Sequence, residues 1–153
     1  MAQLSQINIG RLIAQVDDPR LAEFVSQLDE VNALAESSPG FVWRLKSDSG
    51  NATDIAYSDD LYVHVNMSVW QSIESLKEFT YGPRHLAVFR NRQKWFEKMS
   101  QPHLCLWWIP DGHIPSVKEG RERLEHYQSH GPSAHAFSFT ESFPAPSFES
   151  ATV

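Results

Sequence analysis

The sequence predicts an α+β fold in which helices cover one face of an antiparallel sheet. Three observations predict it. Segments alternating apolar and polar residues are interleaved with segments of helical periodicity, in the order β-α-β-β-α-β. The 153 residues suit one domain, and 41% apolar against 21% charged residues is enough to bury a core. No apolar run approaches the roughly 20 residues that span a bilayer.

The first strand is read over Gln3 to Ile9, where Leu4, Ile7 and Ile9 are apolar. Asp17-Asp18-Pro19 starts a helix: Asp18 can cap, and Pro19 suits the first helical position because its missing N–H is not needed there. Leu21, Phe24, Val25, Leu28, Val31, Leu34 and Ala35 then form one apolar stripe, which Ser37-Ser38-Pro39-Gly40 ends. Phe41 to Leu45 is a second strand. Lys46 to Thr53, rich in Ser, Asp, Gly and Asn, is a loop.

Leu61 to Val69 is the clearest strand. Leu61, Val63, Val65, Met67 and Val69 point one way; Tyr62, His64, Asn66, Ser68 and Trp70 point the other. Ser68 and Gln71 have capping-box spacing, which predicts a short helix through Ile73, Leu76 and Phe79. Tyr81-Gly82-Pro83 breaks it, and a second helix is expected from Pro83 to Lys98. Leu104 to Ile109 is apolar on both faces, which predicts a central strand. Ser116 and Glu119 again have capping-box spacing, so a helix should run to His130, stopped by Gly131-Pro132. Ala136 to Phe143 is read as a last strand. Residues 3–146 are thus one domain, with 147–153 a loose tail.

Two split β-α-β units of this kind make a ferredoxin-like layer, here with an extra C-terminal helix and strand. Helices on one face leave the other bare, and a second copy of the chain is the simplest cover, so a homodimer is expected. The net charge of -6, from 13 Lys and Arg against 19 Asp and Glu, argues against binding nucleic acid through its phosphates. Met1 to Arg11 lacks the basic-then-apolar order of a secretory signal, and the single cysteine, Cys105, excludes an intrachain disulfide. A cytoplasmic protein with no membrane span is expected. Aromatic residues make up 12%, including five Trp and nine Phe; they suit a packed core, or the walls of a pocket for a flat ligand.

The segments Phe41-Val42-Trp43-Arg44-Leu45, Asn66-Met67-Ser68-Val69-Trp70, Trp95-Phe96, Leu106-Trp107-Trp108-Ile109-Pro110 with Gly112-His113, and Gly131-Pro132 before Ala136-Phe137 resemble the DUF3291 family. The match runs from about Asn8 to about Pro146. The resemblance implies the dimeric α/β barrel superfamily, which includes antibiotic-biosynthesis monooxygenases, haem-degrading monooxygenases, and non-oxidative isomerases and lyases. Among these relatives spheroidene monooxygenase looks like a closer one, the similarity itself being distant. Fold alone does not assign a reaction.

The haem-degrading relatives use an Asn on the first strand, a Trp after a central strand and a His on the next helix. The resemblance therefore points to Asn8, Trp70 and His85, although the Trp-to-His stretch is longer here. His85 near a helix start is disfavoured as a cation, and a neutral imidazole can ligate haem iron or act as a base. A structural histidine bonded to a loop carbonyl is the plainer alternative. His64 and Asn66 share a polar strand face that would line either a pocket or the dimer interface. Arg92, near His85 and Phe89 by helical spacing, could hold a carboxylate or a haem propionate; a surface role in the run Arg90-Asn91-Arg92-Gln93-Lys94 is favoured. Trp43, beside Arg44, completes the expected pocket wall with Trp70, His64 and Phe89.

Trp107 and Trp108 point to opposite faces of one strand. His126 and His130 have the i, i+4 spacing of metal ligands but no evident third ligand, so no metal is expected. Cys105, in an apolar strand, reads as an inert thiol.

The leading expectation is a small monooxygenase-like oxidoreductase acting on an apolar or aromatic molecule. Asn66, Asn8 and His85 would be catalytic, and His85 with Arg92 would hold a haem if one binds. The alternatives are a cofactor-free lyase or isomerase on the same fold, and a dimeric ligand-binding module without catalysis.

Overall fold

Four antiparallel strands form one sheet: β1 (Ala2–Arg11), β2 (Phe41–Arg44), β3 (Val63–Trp70) and β4 (Leu104–Pro110), in the spatial order β2-β3-β1-β4. This is the ferredoxin-like order. The computed structural model describes residues 2–46 and 55–148, with Val88, Phe89 and Arg92 described by their backbone alone. The expected loop from Lys46 to Thr53 lies, after Lys46, outside the described residues.

The helices are α1 (Ala22–Ser37), α2 (Ile73–Thr80), α3 (Pro83–Phe89) and α4 (Val117–His130). Asp18 caps as expected, its side chain accepting from the Arg20 N–H, but it opens a 3-10 turn over Pro19–Leu21 that leads into α1. The cap of α2 is Ser72, which accepts from the Ser75 N–H; Ser68 stays in β3. The expected Pro83–Lys98 helix is much shorter. It ends at Phe89, and a 3-10 turn follows at Arg92–Lys94. There the chain bends back to bridge Phe96 to Leu12 and to bury Trp95. Ser116 caps α4 by accepting from the Glu119 N–H, and α4 ends at His130.

Alternation sorts the strands onto two faces. Leu4, Gln6, Asn8 and Gly10 of β1 lie opposite Trp70, Ser68, Asn66 and His64 of β3. Helices α1 to α3 lie over this face. Ile7, Ile9, Val65, Met67, Val69, Cys105, Trp107 and Ile109 form the other face, packed against Leu124 of α4.

This corrects the expectation of a bare sheet. Helix α4 lies on the face assigned to a second copy, so close that a Cβ on Gly120 would stand 2.8 Å from Ile7 Cδ1 and 3.0 Å from Met67 Cε. It also explains β4, which is an edge strand and not a central one. Its residues are apolar on both faces because α4 covers one, while Phe137 packs with Leu106 on the other. The expected strand over Ala136 to Phe143 reduces to one bridge, Phe137 to Leu106, held by reciprocal backbone hydrogen bonds of 2.8 and 2.9 Å. The segment continues as a strap whose Phe143 carbonyl accepts from the Trp108 indole at 2.9 Å. No described helix is long and apolar enough to cross a membrane.

Candidate functional site

A cavity of about 450 Å³ lies between the sheet and helices α1 to α3, within the range of roughly 300–1,000 Å³ usual for small-molecule sites. Its floor is the polar face of β1 and β3. Its roof includes Phe24, Leu28 and Val31 of α1, Leu76 and Phe79 of α2, and His85 of α3; Trp70, Trp95 and Phe96 wall it, and Tyr81 and Phe139 line it as well. Tyr81 is half exposed and meets Phe139 of the C-terminal strap edge-on at 5.9 Å, which places this pair at the mouth.

The floor carries a ladder of side-chain hydrogen bonds. The Trp70 indole N–H donates to Ser68 Oγ at 2.8 Å, and Gln6 Nε2 donates to the same oxygen at 2.8 Å and to Asn66 Oδ1 at 2.7 Å. Asn8 Nδ2 donates to Gln6 Oε1 at 3.0 Å and to Asn66 Oδ1 at 3.1 Å. Polar groups on a half-enclosed face must pair with something; here they pair with one another within one chain. Gln6, buried at the centre of this network, is the residue that the sequence reading passed over. Its signal was its i, i+2 relation to Leu4 and Asn8, which sets all three on one face of β1.

Two imidazoles face the same cavity. His64 is wedged against Phe24, whose ring meets it edge-on at 5.6 Å, and burial depresses its pKa to about 4. His85 packs on Phe79 at 5.1 Å. Burial lowers its pKa as well, and a hydrogen bond to the Thr80 carbonyl acts in the opposite direction. Its Nδ1 is buried with no partner. Both rings are therefore neutral at pH 7.

The cavity thus gathers Asn8, His64, Asn66, Trp70 and His85. It does not gather Trp43, which packs on the opposite face with the core of Ile7 and Met67; strand alternation brings Arg44 to the cavity in its place, tied to Glu36 at 3.2 Å. The side chains of Phe89 and Arg92 lie outside the described residues. Trp107 and Trp108 do point to opposite faces: Trp107 is buried under α4, where its indole donates to Glu119, which also pairs with His113 at 2.7 Å. Cys105 is buried and its thiol pKa is pushed up to about 12 by burial, as an inert thiol should be. His126 stacks on His130 at 4.4 Å and meets His135 at 4.6 Å. Among the described residues no group is arranged to hold a metal ion.

Known proteins resemble this arrangement in fold. A protein of unknown function from Nitrosomonas europaea superposes with a TM-score of 0.50 at 13% identity, covering 76% of this chain and 97% of its own. SnoaB, a cofactor-independent oxygenase from Streptomyces nogalater, gives 0.47 at 16% identity over 74% of this chain and 97% of its own. The hydroxynitrile lyase from Passiflora edulis gives 0.48 at 16% identity over 73% and 97%. At these identities the likeness is one of fold. No curated protein matches the chain. The family model described as "Domain of unknown function (DUF3291)" matches residues 3–152, nearly the whole chain, and the protein belongs to that family.

Proposed function

We propose that this protein is a small, cofactor-independent oxidoreductase of monooxygenase type that takes a flat, apolar molecule into the cavity beneath α1 to α3. The observation that carries the reading is the pairing of neutral imidazoles with an amide-lined floor inside an aromatic enclosure. His85 is the base: its neutral ring lines the cavity and takes a proton from an acidic C–H or O–H of a ligand that comes against it. Amide N–H groups on the floor stabilise the resulting anion, and the apolar walls strengthen that interaction by excluding water. An electron-rich anion can then react with oxygen directly. The balance is CH2 plus O2 giving C=O plus H2O, so the substrate supplies all the electrons and no reductant is needed.

The residues do not fit a haem. The one arginine in the described lining, Arg44, is committed to Glu36, which leaves no unengaged arginine there for propionates.

The test is oxygen consumption with flat aromatic ketones whose methylene is acidified by the ring. Turnover that requires oxygen, and that falls by about 10²-fold or more in His85→Ala, is the expected result. Haemin titration is expected to give no Soret band. Turnover that persists under nitrogen would move the assignment to a lyase or isomerase, a reading that two imidazoles in one cavity also favour, since one can take a proton and the other return it. Binding without turnover under either gas would reduce the protein to a ligand carrier.

A further inference from the structure

We propose that the ligand carries one hydrogen-bond donor beside one acceptor on a single edge, as lactams and hydroxy-substituted ketones do, and that Asn8 and Asn66 read this pair. The inference rests on the cavity being a site for a flat ligand and goes beyond it to the ligand's polar edge.

The argument starts from counting donors and acceptors. Gln6 Nε2 spends its two N–H groups on Ser68 and Asn66, and Asn8 Nδ2 spends its two on Gln6 and Asn66. What remains is the Asn8 Oδ1 acceptor and the Asn66 Nδ2 donor. Turning all three amides over together gives a second consistent ladder. In it Ser68 and Asn66 donate to Gln6, while Gln6 and Asn66 donate to Asn8. The remainder is then an Asn66 acceptor and an Asn8 donor. No mixed arrangement satisfies every contact. In either polarity, therefore, one asparagine offers a carbonyl oxygen and its neighbour an NH2.

The geometry sets these two groups side by side. Asn8 and Asn66 are direct cross-strand partners whose amides touch at 3.1 Å. Both line the cavity, and neither free end is sealed inside the protein. A flat ligand lying on this floor meets a donor and an acceptor together. A ligand with only an acceptor leaves one buried asparagine group unpaired, which costs more than a missing hydrogen bond in water. Gln6 bonds to both asparagines as a positioning residue: it reinforces the direct Asn8–Asn66 contact that keeps them from both presenting the same group.

Three probes of matched shape test this: naphthalene, acetylnaphthalene and naphthalenecarboxamide, followed by quenching of the tryptophans that wall the cavity. The ketone and the carboxamide differ by a methyl in place of NH2. The wild-type protein is expected to bind the carboxamide at least about fivefold more tightly than the ketone, the value of one satisfied neutral hydrogen bond. In Gln6→Met, where only the 3.1 Å Asn8–Asn66 contact still orients the pair, the ratio should fall, whereas a merely structural role for Gln6 would weaken all three probes alike. Equal binding of ketone and carboxamide by the wild type overturns the inference and leaves the cavity reading intact. An unchanged ratio in Gln6→Met overturns the role of Gln6. Failure to bind any probe overturns both this inference and the proposed function. Should Gln6→Met fail to fold, Asn8→Leu replaces it, with the same loss of ratio expected and a retained ratio overturning the inference.

Discussion

His64 is a neutral imidazole held where a charge would be poorly solvated, and that has a consequence for stability. Its folded pKa of about 4 lies below the ordinary 6.5. Between those values the unfolded chain binds a proton that the folded chain refuses. Stability is therefore complete above pH 6.5 and is lost as the pH falls towards 4, by up to about 3 kcal/mol from this residue. Urea unfolding across this range should show the decline. His64→Phe, which keeps a ring against Phe24 without a titrating group, should flatten it. A steric constraint sits on the same strand face. A Cβ on Gly10 would stand 2.5 Å from the Phe96 ring, and a ring cannot bend aside as an alkyl tip can. Gly10→Ala is expected to cost about 1–3 kcal/mol and to displace one cavity wall, read as a lowered melting temperature together with weakened probe binding. At this scale the sequence was informative where alternation was strict. His64, Asn66, Ser68 and Trp70 share a face because every second residue between them is apolar. Gln6 was hidden because β1 is buried on both sides, so its alternation is blurred by burial and does not reveal which polar residue is central.

Among the elements, the two capping sites separate what local sequence can decide from what it cannot. Ser116 and Ser72 are both followed three residues later by a backbone N–H that they accept. Capping-box spacing found Ser116 because a Glu follows at the right position. It pointed to Ser68 instead of Ser72 because Gln71 supplies the same pattern one turn too early. The pairing of β3 with β1 overrides that local preference: Ser68 lies opposite Gln6, and its hydroxyl serves the ladder. The two serines should therefore respond differently to alanine. Ser72→Ala removes a cap and is expected to cost about 1 kcal/mol in unfolding free energy while leaving the ligand ratio in place. Ser68→Ala takes the shared acceptor away from both the Trp70 indole and Gln6, and should erode ligand discrimination as well as stability. The shortened α3 has a similar origin. Apolar residues continue at helical spacing beyond Phe89, but burial of Trp95 and the bridge from Phe96 to Leu12 reward a turn more than another helical repeat.

At the scale of the molecule, two layers share one sheet and have different tasks. Helices α1 to α3 leave a hollow over a polar face; α4 seals an apolar one. The order of elements in the sequence predicted the four paired strands, but neither the edge position of β4 nor the reduction of the strand expected over Ala136 to Phe143 to one bridge. It could not say that α4 would return to the far face, because an amphipathic helix fits either side and the choice depends on which apolar face is left open. That choice bears on association. The cavity lies between the sheet and α1 to α3, on the face opposite the one α4 covers, so association through the α4 side would leave it untouched. Probe affinity should accordingly be independent of protein concentration, even across any range in which light scattering shows a change of mass. The apolar face becomes available only when α4 is absent. A chain truncated after Pro115 would uncover Ile7, Met67, Val69 and Trp107, which are now almost completely buried, as one continuous patch of the kind that drives self-association. Light scattering is expected to show the truncated chain as a dimer or larger species at concentrations where the full chain's mass is lower. If both had the same mass, α4 would not be what occupies that face in solution.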